Sequence, residues 1–399
     1  MPASVGGRVL MLLENSTYPR DPRVRREAKA LADAGYQVSV ICPAGLGQPW
    51  REMLDGVRIY RYPAPPAASG ILGYLWEYGY SMVATFILSL LVLMREGFDV
   101  VHAHNPPDMF VFIAACYKLF GKRFVYDHHD IAPELYCARF EVRNRLIYHV
   151  LVWFETLSCR LANHVITTNQ SYKRIEMRRG HVPEERITIV RNGPNPNGVR
   201  SINPDLSLRQ AGKLIIGYIG VMGTQDGVDY LLRALRYLAY DLGRTDFFCV
   251  LVGAGDALPS LKALAKQLDL TECVRFTGWV ELAEEVARYL KAMDICVAPE
   301  PSNIYNDHST MIKIMEYMAV EKPIVAFDLP EHRFTAEAAA LYVRPNDELE
   351  FARALAQLMD DPARRQAMGS FGRRRVETEL AWRYSVPHLL EAYRTVLTE

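Results

Sequence analysis

The chain has no surplus of either charge: lysine and arginine together number 46, and aspartate and glutamate also number 46, in 399 residues. That balance gives no electrostatic reason to expect nucleic acid as a partner. It has no Cys-x-x-Cys pair. Its seven cysteines (Cys42, Cys116, Cys137, Cys159, Cys249, Cys273 and Cys296) are scattered, mostly in apolar company. This excludes a disulfide framework and a thiolate metal site, and it fits small hydrophobic residues in a reducing cytosol. No strand is followed by Gly-x-Gly-x-x-Gly and a ribose-binding acid, so a redox enzyme on a dinucleotide fold is remote. No short repeat and no low-complexity segment occurs. The opening Met1-Pro-Ala-Ser-Val-Gly-Gly-Arg8 lacks a basic leader and a cleavage site, so a secretory signal is not expected.

Long hydrophobic runs are almost absent as well. The exception is the charge-free run from Tyr78 to Met94, slightly short of the ~20 residues that a spanning helix needs. Arg95-Glu96-Gly97 closes it and a strand follows at once, where a doubly wound domain would place a crossover helix. Core packing is the first expectation. The aromatic residues Tyr74, Trp76, Tyr78 and Tyr80, with Ile71, Leu72 and Leu75, resemble an interfacial patch that would dock on a bilayer without spanning it.

What the chain does have is apolar bulk. Half of its residues are hydrophobic and 23% are charged, enough for a full core, and the length suits two domains of moderate size. Short apolar runs alternate with helical patterns, the mark of βαβ units and a parallel sheet. In the first half the expected strands are 9–13, 37–42, 57–61, 100–103, 123–127, 164–168 and 187–191. A helix is expected over 23–34, with Gly35 ending it. The breaker-rich stretch Asn192-Gly-Pro-Asn-Pro-Asn-Gly198 starts a linker, and the pattern resumes with strands at 214–220, 247–253, 274–276, 295–298, 324–327 and 341–343. The expected division is an N-terminal domain over 1–194, a linker over 195–212, a second domain over 213–380 and a final helix over 381–399. Two Rossmann-like halves with a cleft between them would bind ligands at the carboxyl ends of their strands.

The richest stretch follows strand 295–298: Glu300-Pro-Ser-Asn-Ile-Tyr-Asn-Asp-His-Ser-Thr-Met-Ile-Lys313-Ile-Met-Glu316-Tyr-Met-Ala319. Ser309 or Thr310 is a good helix cap. With the helix starting there, Ser309, Lys313 and Glu316 would share one face. Exposed amides at a helix start, with a lysine one turn in, suit a phosphate. A carboxylate one turn further can accept hydrogen bonds from a ribose diol.

This segment resembles the donor-nucleotide signature of retaining glycosyltransferases of the GT-B fold, in particular the large family 4. There the pattern is a glutamate, seven residues, a second glutamate, Ala-Met-Ala, and a Gly-x-Pro-Val strand. Glu316 in Glu316-Tyr-Met-Ala319 matches the second glutamate, and Lys322-Pro-Ile-Val325 matches the strand. His308 stands at the first position, a departure. The form with Ser309-Thr310-Met311 and Lys313 is similar to a subgroup that assembles bacterial surface polysaccharides. The resemblance covers essentially the whole chain. It implies that Glu316 holds the ribose and that the last helix crosses back onto the first domain, and it leaves open how the donor sugar hydroxyls are held. His308 and the helix start at Ser309, Thr310 and Met311 are the expected donor-side positions.

Other loops carry the resemblance further. Gly220-Val-Met-Gly223-Thr-Gln-Asp226-Gly227 stands where the family has a glycine loop ending in Lys-Gly. Glycine there admits a pyrophosphate to free amides, or merely shapes a tight turn. Since Asp226 replaces the lysine, Lys313 is the expected source of positive charge. Gly253 in Val252-Gly-Ala-Gly-Asp256 lies at another strand end, and Gly278-Trp279-Val280 matches the loop that cradles the base. Asp127-His128-His129-Asp130 resembles the family's Asp-x-His-Glu turn, which implies that His129 approaches the donor sugar. His104 in Val101-His-Ala-His104-Asn105 resembles an acceptor-side loop, although a strand-end histidine is as often a cap. Pro19 to Glu27 matches a Pro-Arg-Asp-x-Arg-Val-x-Arg-Glu variant of the first loop, so Arg20 and Arg23 would face an anionic acceptor while Asp21 caps the helix.

These readings combine into a retaining glycosyltransferase of hexosyl or N-acetylhexosaminyl type, with His129, Lys313 and Glu316 as its reacting-site residues. It would use a nucleotide diphosphate sugar and a sugar or lipid-linked acceptor, with no cofactor and no metal, since the spacing of His and Asp matches no closed site. Its expected place is the cytoplasm, in peripheral contact with the inner membrane face. Two rivals stay open: a sugar-nucleotide epimerase using the Asp127 to Glu134 cluster, and a nucleotide-sugar-binding subunit without catalysis.

Overall fold

The computed structural model describes residues 6–65, 70–140 and 144–398, and only the backbone at 70–72, 74 and 75. The chain forms two units: Met1–Pro133 with Arg143–Asn192 and Ser385–Glu399, and Glu134–Val142 with Gly193–Tyr384.

The first unit is built on an eight-stranded sheet of β1 (Arg8–Leu12), β2 (Gln37–Pro43), β3 (Arg51–Leu54), β4 (Val57–Tyr62), β5 (Val100–His104), β6 (Arg123–His128), β7 (His164–Thr167) and β8 (Ile187–Ile189). Its spatial order is β3-β4-β2-β1-β5-β6-β7-β8, parallel throughout except for the β3–β4 hairpin. β1, β5, β6 and β7 are buried almost end to end, as expected of strands covered by helices on both faces. Seven of the eight strands fall on the apolar runs read from sequence. β3 does not, because Arg51-Glu-Met-Leu54 is a short edge strand of alternating exposure. Its signal was the Asp55-Gly56 pair, whose φ angles of 51° and 79° make the tight hairpin turn. The Pro22–Asp33 helix follows β1 and buries Val24, Glu27, Ala28 and Leu31.

The second unit has a six-stranded parallel sheet of β9 (Leu214–Ile219), β10 (Phe247–Val252), β11 (Val274–Gly278), β12 (Ile295–Ala298), β13 (Ile324–Phe327) and β14 (Ala340–Val343), in the order β11-β10-β9-β12-β13-β14. All six match expected strands. One hydrophobic cluster lies on each face of this sheet, around Leu231, Leu235 and Leu355 on one side and Met293, Met315 and Met318 on the other.

In each sheet the strand order reverses beside the first strand. β1 lies between β2 and β5, and β9 lies between β10 and β12. Chains leaving the carboxyl ends of such a strand pair diverge to opposite faces and open a crevice, the usual ligand position in this architecture. The last helix, Trp382–Thr398, joins the first unit from Ser385 onward, with Leu389, Ala392, Tyr393 and Val396 buried.

Candidate active site

In the second unit the expected donor residues gather at the carboxyl ends of β9 and β12. Gly220 follows β9 with φ 147°, and a Cβ there would stand 3.1 Å from both Cε and Nζ of Lys313. The lysine thus passes over the backbone because residue 220 has no side chain. Its Nζ donates to Glu300 Oε1 at 2.5 Å and to the Tyr218 hydroxyl at 2.9 Å, and it lies 4.2 Å from the centre of the Tyr218 ring. Burial alone would weaken the ammonium, but the Glu300 and Asp226 carboxylates hold its pKa above the ordinary value. An ammonium has three N–H donors, and these two bonds use two. Glu300 is fully buried, and its second oxygen is 3.6 Å from His332 Nε2. The sequence reading missed Glu300, Tyr218 and His332 as partners. The signal for Glu300 was its place, the second residue after a buried strand, where a carboxylate needs a cation.

The helix expected to carry the donor signature starts later than Ser309 or Thr310. It spans Ile312–Ala319 with Met311 as its N-cap, which supplies no side-chain hydrogen bond. Ser309 therefore lies off the helix, and its hydroxyl donates to the Tyr305 carbonyl at 2.8 Å. Thr310 donates to Glu331 at 3.0 Å. The His308 ring hydrogen-bonds the Ile304 carbonyl of its own loop. The buried Asn306 ties that loop down through the carbonyls of Gln225 and Pro301. The side chains expected to cap the helix thus shape the preceding loop, and Met311 leaves the first-turn amides without a side-chain cap, as an anion site requires. Glu316 is half-buried on the same helix, three residues beyond Lys313.

The glycine loop is corrected too. The Gly220 amide donates to Val252 and the Met222 amide to Ala254, while Gly223 donates to Asp226 Oδ2 at 2.8 Å. Asp226 caps its own turn, and burial raises its pKa to about 6 despite Lys313. The amides of Gly220 and Gly223 are therefore spent within the protein, and the glycines serve geometry. Gly253, at φ 135°, is the clearest case: a Cβ would lie 1.9 Å from the Gly220 carbonyl oxygen. Gly278 ends β11, accepting from the Gly253 amide at 3.0 Å, with Trp279 half-exposed after it and Val280 packed against the core.

In the first unit a second constellation lies at the carboxyl ends of β1, β5 and β6. Asp127 Oδ2 is 3.3 Å from His102 Nε2, 2.9 Å from His104 Nδ1 and 2.8 Å from His129 Nε2. The His104 ring stacks on that of His102 at 4.2 Å and on that of His129 at 5.8 Å. Burial would raise the Asp127 pKa, but the three imidazoles carry it well below the ordinary value. Burial lowers the pKa of His102 to about 4, and its Nδ1 meets the Tyr393 hydroxyl at 2.6 Å. His104 is buried instead of facing solvent as an acceptor-side residue would. Asn105 fixes the His129 turn, its Oδ1 accepting from the amides of His129 (2.6 Å) and Asp130 (3.0 Å). Arg23 is not free for an acceptor, since its guanidinium and amide both bind Asp21, the helix cap. Arg20 is exposed. His128 turns away to Glu176 at 2.9 Å and Glu155 at 3.5 Å. Glu14, just past β1, is buried with its pKa raised to about 7, and it accepts from Ser81 at 3.1 Å.

Comparison with known proteins gives this geometry a family. Residues 213–361 match the glycosyl transferases group 1 family, and residues 21–193 match the glycosyl transferase 4-like domain. The chain belongs to the group 1 glycosyltransferases. The 2-deoxystreptamine glucosyltransferase of Streptomyces kanamyceticus is 23% identical over 390 residues, 94% of this chain and 98% of that protein. Sucrose-phosphate synthase from Thermosynechococcus elongatus has a TM-score of 0.80 at 19% identity, covering 98% of this chain and 99% of its own. HepE from Anabaena, solved in complex with UDP-glucose, has a TM-score of 0.73 at 18% identity over 97% and 99% of the two chains. The fold of this group 1 glycosyltransferase is therefore GT-B, with two Rossmann-like units. Its group 1 region contains Gly220, Glu300, Lys313 and Glu316, and its 4-like region contains the Glu27, His102, His104, Asp127 and His129 constellation.

Proposed function

We propose that this glycosyltransferase moves a sugar from a nucleotide diphosphate sugar to an acceptor hydroxyl with retention of anomeric configuration, in the assembly of a surface polysaccharide or glycolipid. The observation that carries the donor reading is the meeting of Lys313, the uncapped start of the Ile312–Ala319 helix and the side-chain-free Gly220 at one switch point. Charge that builds on a departing diphosphate would meet fixed dipoles and one remaining ammonium N–H. Glu316, further along the helix, would accept from the ribose. Retention follows from the family resemblance, in which the leaving phosphate itself takes the acceptor proton. A uridine nucleotide is the first donor to try, since HepE was solved with UDP-glucose.

The acceptor reading draws on the Gly70–Arg95 helix. Its inward face buries Ser81, Thr85, Ser89 and Val92, with Met82, Leu88 and Leu93 packed against the core, whereas Val83 (60% exposed), Ile87 (59%) and Met94 (78%) point outward. The expected core packing of this run holds on one side of the helix only, with 22% of the Trp76–Arg95 window, of mean hydropathy 1.5, buried. Ile71, Leu72 and Leu75, expected to insert, lie outside the described side chains, but Trp76 is exposed. Exposed Phe112 and Trp153, whose rings lie 6.2 Å apart on the Phe110–Lys118 and Arg145–Leu161 helices, are further apolar groups on the surface of this unit. A face of this kind suits shallow docking at the inner face of the cytoplasmic membrane, beside a lipid-linked acceptor.

The test is a mass-spectrometric screen of nucleotide sugars for thermal stabilisation, followed by turnover with the best donor. Product on an acceptor with the donor's anomeric configuration supports the proposal. A changed sugar without acceptor would establish the epimerase, and donor binding with no turnover on any acceptor would establish the binding subunit.

A further inference from the structure

Glu27, His102, His104 and Asp127 come from the Pro22–Asp33 helix, β5 and β6, and one ligand atom from each lies within 4.8 Å of every other. All four are buried. Both oxygens of Glu27, both of Asp127, Nε2 of His102 and both nitrogens of His104 lack a hydrogen bond. The imidazoles approach Asp127 closely enough to lower its pKa but make no well-formed hydrogen bond to it. Among the described residues no lysine or arginine forms an ion pair with Glu27 or Asp127. Their ion-pair contacts are the imidazoles alone, with Glu27 Oε2 3.9 Å from His102 Nε2. The Arg23 guanidinium, paired with Asp21, acts on both carboxyls only from beyond ion-pair distance, and two carboxylates in a dry site without a paired cation are costly.

We propose that these four residues bind one divalent transition-metal ion, zinc by preference, as a structural centre of the first unit. A dication would balance both carboxylates. Bond lengths of about 2.1 Å in a tetrahedron set ligand atoms about 3.4 Å apart, and three of the ligand-atom separations, 2.9, 3.3 and 3.9 Å, bracket that distance. Two imidazoles with two carboxylates suit zinc better than magnesium or calcium, which prefer oxygen alone. The outer contacts fit as well. His102 Nδ1 bonds the Tyr393 hydroxyl at 2.6 Å, which fixes the ring and leaves Nε2 for the ion, the usual support of a metal-bound histidine. The ion would join the helix after β1 to two strands and, through Tyr393, to the last helix. His129, whose Nε2 is also 2.8 Å from Asp127 Oδ2, would be held by the same carboxylate.

The full chain, purified without a metal-affinity tag or chelator, would be analysed by elemental mass spectrometry. About one equivalent of transition metal per chain is expected. Glu27→Gln and His104→Asn should each reduce it to below about one tenth, while His149→Gln, on an exposed helix position, keeps it. Chelation should lower the Tm of the wild-type chain and Zn²⁺ should restore it. If the two variants fail to fold, this chelation arm decides alone. Equal metal in all variants, or no metal together with no Tm response to Zn²⁺, would overturn the proposal and leave a proton-bridged network.

Discussion

Lys313 carries a charge that Glu300 already answers, so the two must be tested together. Lys313→Ala strands a buried carboxylate and should cost about 3–5 kcal/mol of stability. The pair Lys313→Met with Glu300→Gln should recover most of that in urea unfolding while turnover stays low. Lys322→Ala removes only a bond to the Lys291 carbonyl and should leave turnover within a few fold. If the paired variant turns over like wild type, the diphosphate is held elsewhere. For Glu316, two ribose hydrogen bonds to a carboxylate are worth ~2–4 kcal/mol. Glu316→Gln should therefore raise the donor KM or cut kcat strongly with an unchanged far-UV spectrum. Wild-type kinetics would sink the assignment. Glu14 predicts a pH effect. Its pKa is raised from 4.5 to about 7, by burial first, so the folded state holds a proton that the unfolded state has released. Its stabilising effect is complete below pH 4.5 and is lost as pH rises through about 7, by no more than roughly 3 kcal/mol. Glu14→Gln should then be more stable than wild type at pH 8 and no more stable at pH 4.5, as read from denaturant midpoints.

Elements decide what these residues can reach. The Gly253 and Gly220 strand ends approach so closely that Gly253→Ala meets a carbonyl oxygen at 1.9 Å and a φ of 135°. It should destabilise the second unit by more than about 2 kcal/mol and weaken donor binding, measured by calorimetry. Normal stability would mean that the two loops separate at little cost. The Gly70–Arg95 helix exposes Trp76, Val83 and Ile87, and their replacement by glutamine should release the protein from vesicles with unchanged donor binding. Because apolar burial is the main term, docking by the wild type should survive moderate salt. Unfolding of the triple variant would show those side chains to be structural. The late start of the Ile312–Ala319 helix has a local cause. Asn303 Oδ1 accepts from the Tyr305 and Asn306 amides, Asn306 Nδ2 donates to the Pro301 carbonyl and the Ser309 hydroxyl to the Tyr305 carbonyl, so the loop competes successfully with the helix for those residues.

At the scale of the molecule, the alternation of apolar runs determined by itself that two parallel sheets would form, since burial on both faces requires such runs. It also determined which loops would stand at the strand ends, and the matched motif placed Lys313 and Glu316 on one helix. Tertiary structure alone decided which charges neutralise one another, because an ion pair depends on where separate elements meet. Lys313 spends two of its three N–H donors on Glu300 and Tyr218, where separate elements meet, while Asp21 with Arg23 and Asp226 with Gly223 are local bonds that take up groups expected to face a ligand. Distance along the chain hid the rest. Glu27 stands far in sequence from His102 and Asp127, and Tyr393 lies almost at the far end. No spacing rule could join them, yet the fold of the first unit brings all four to one buried point.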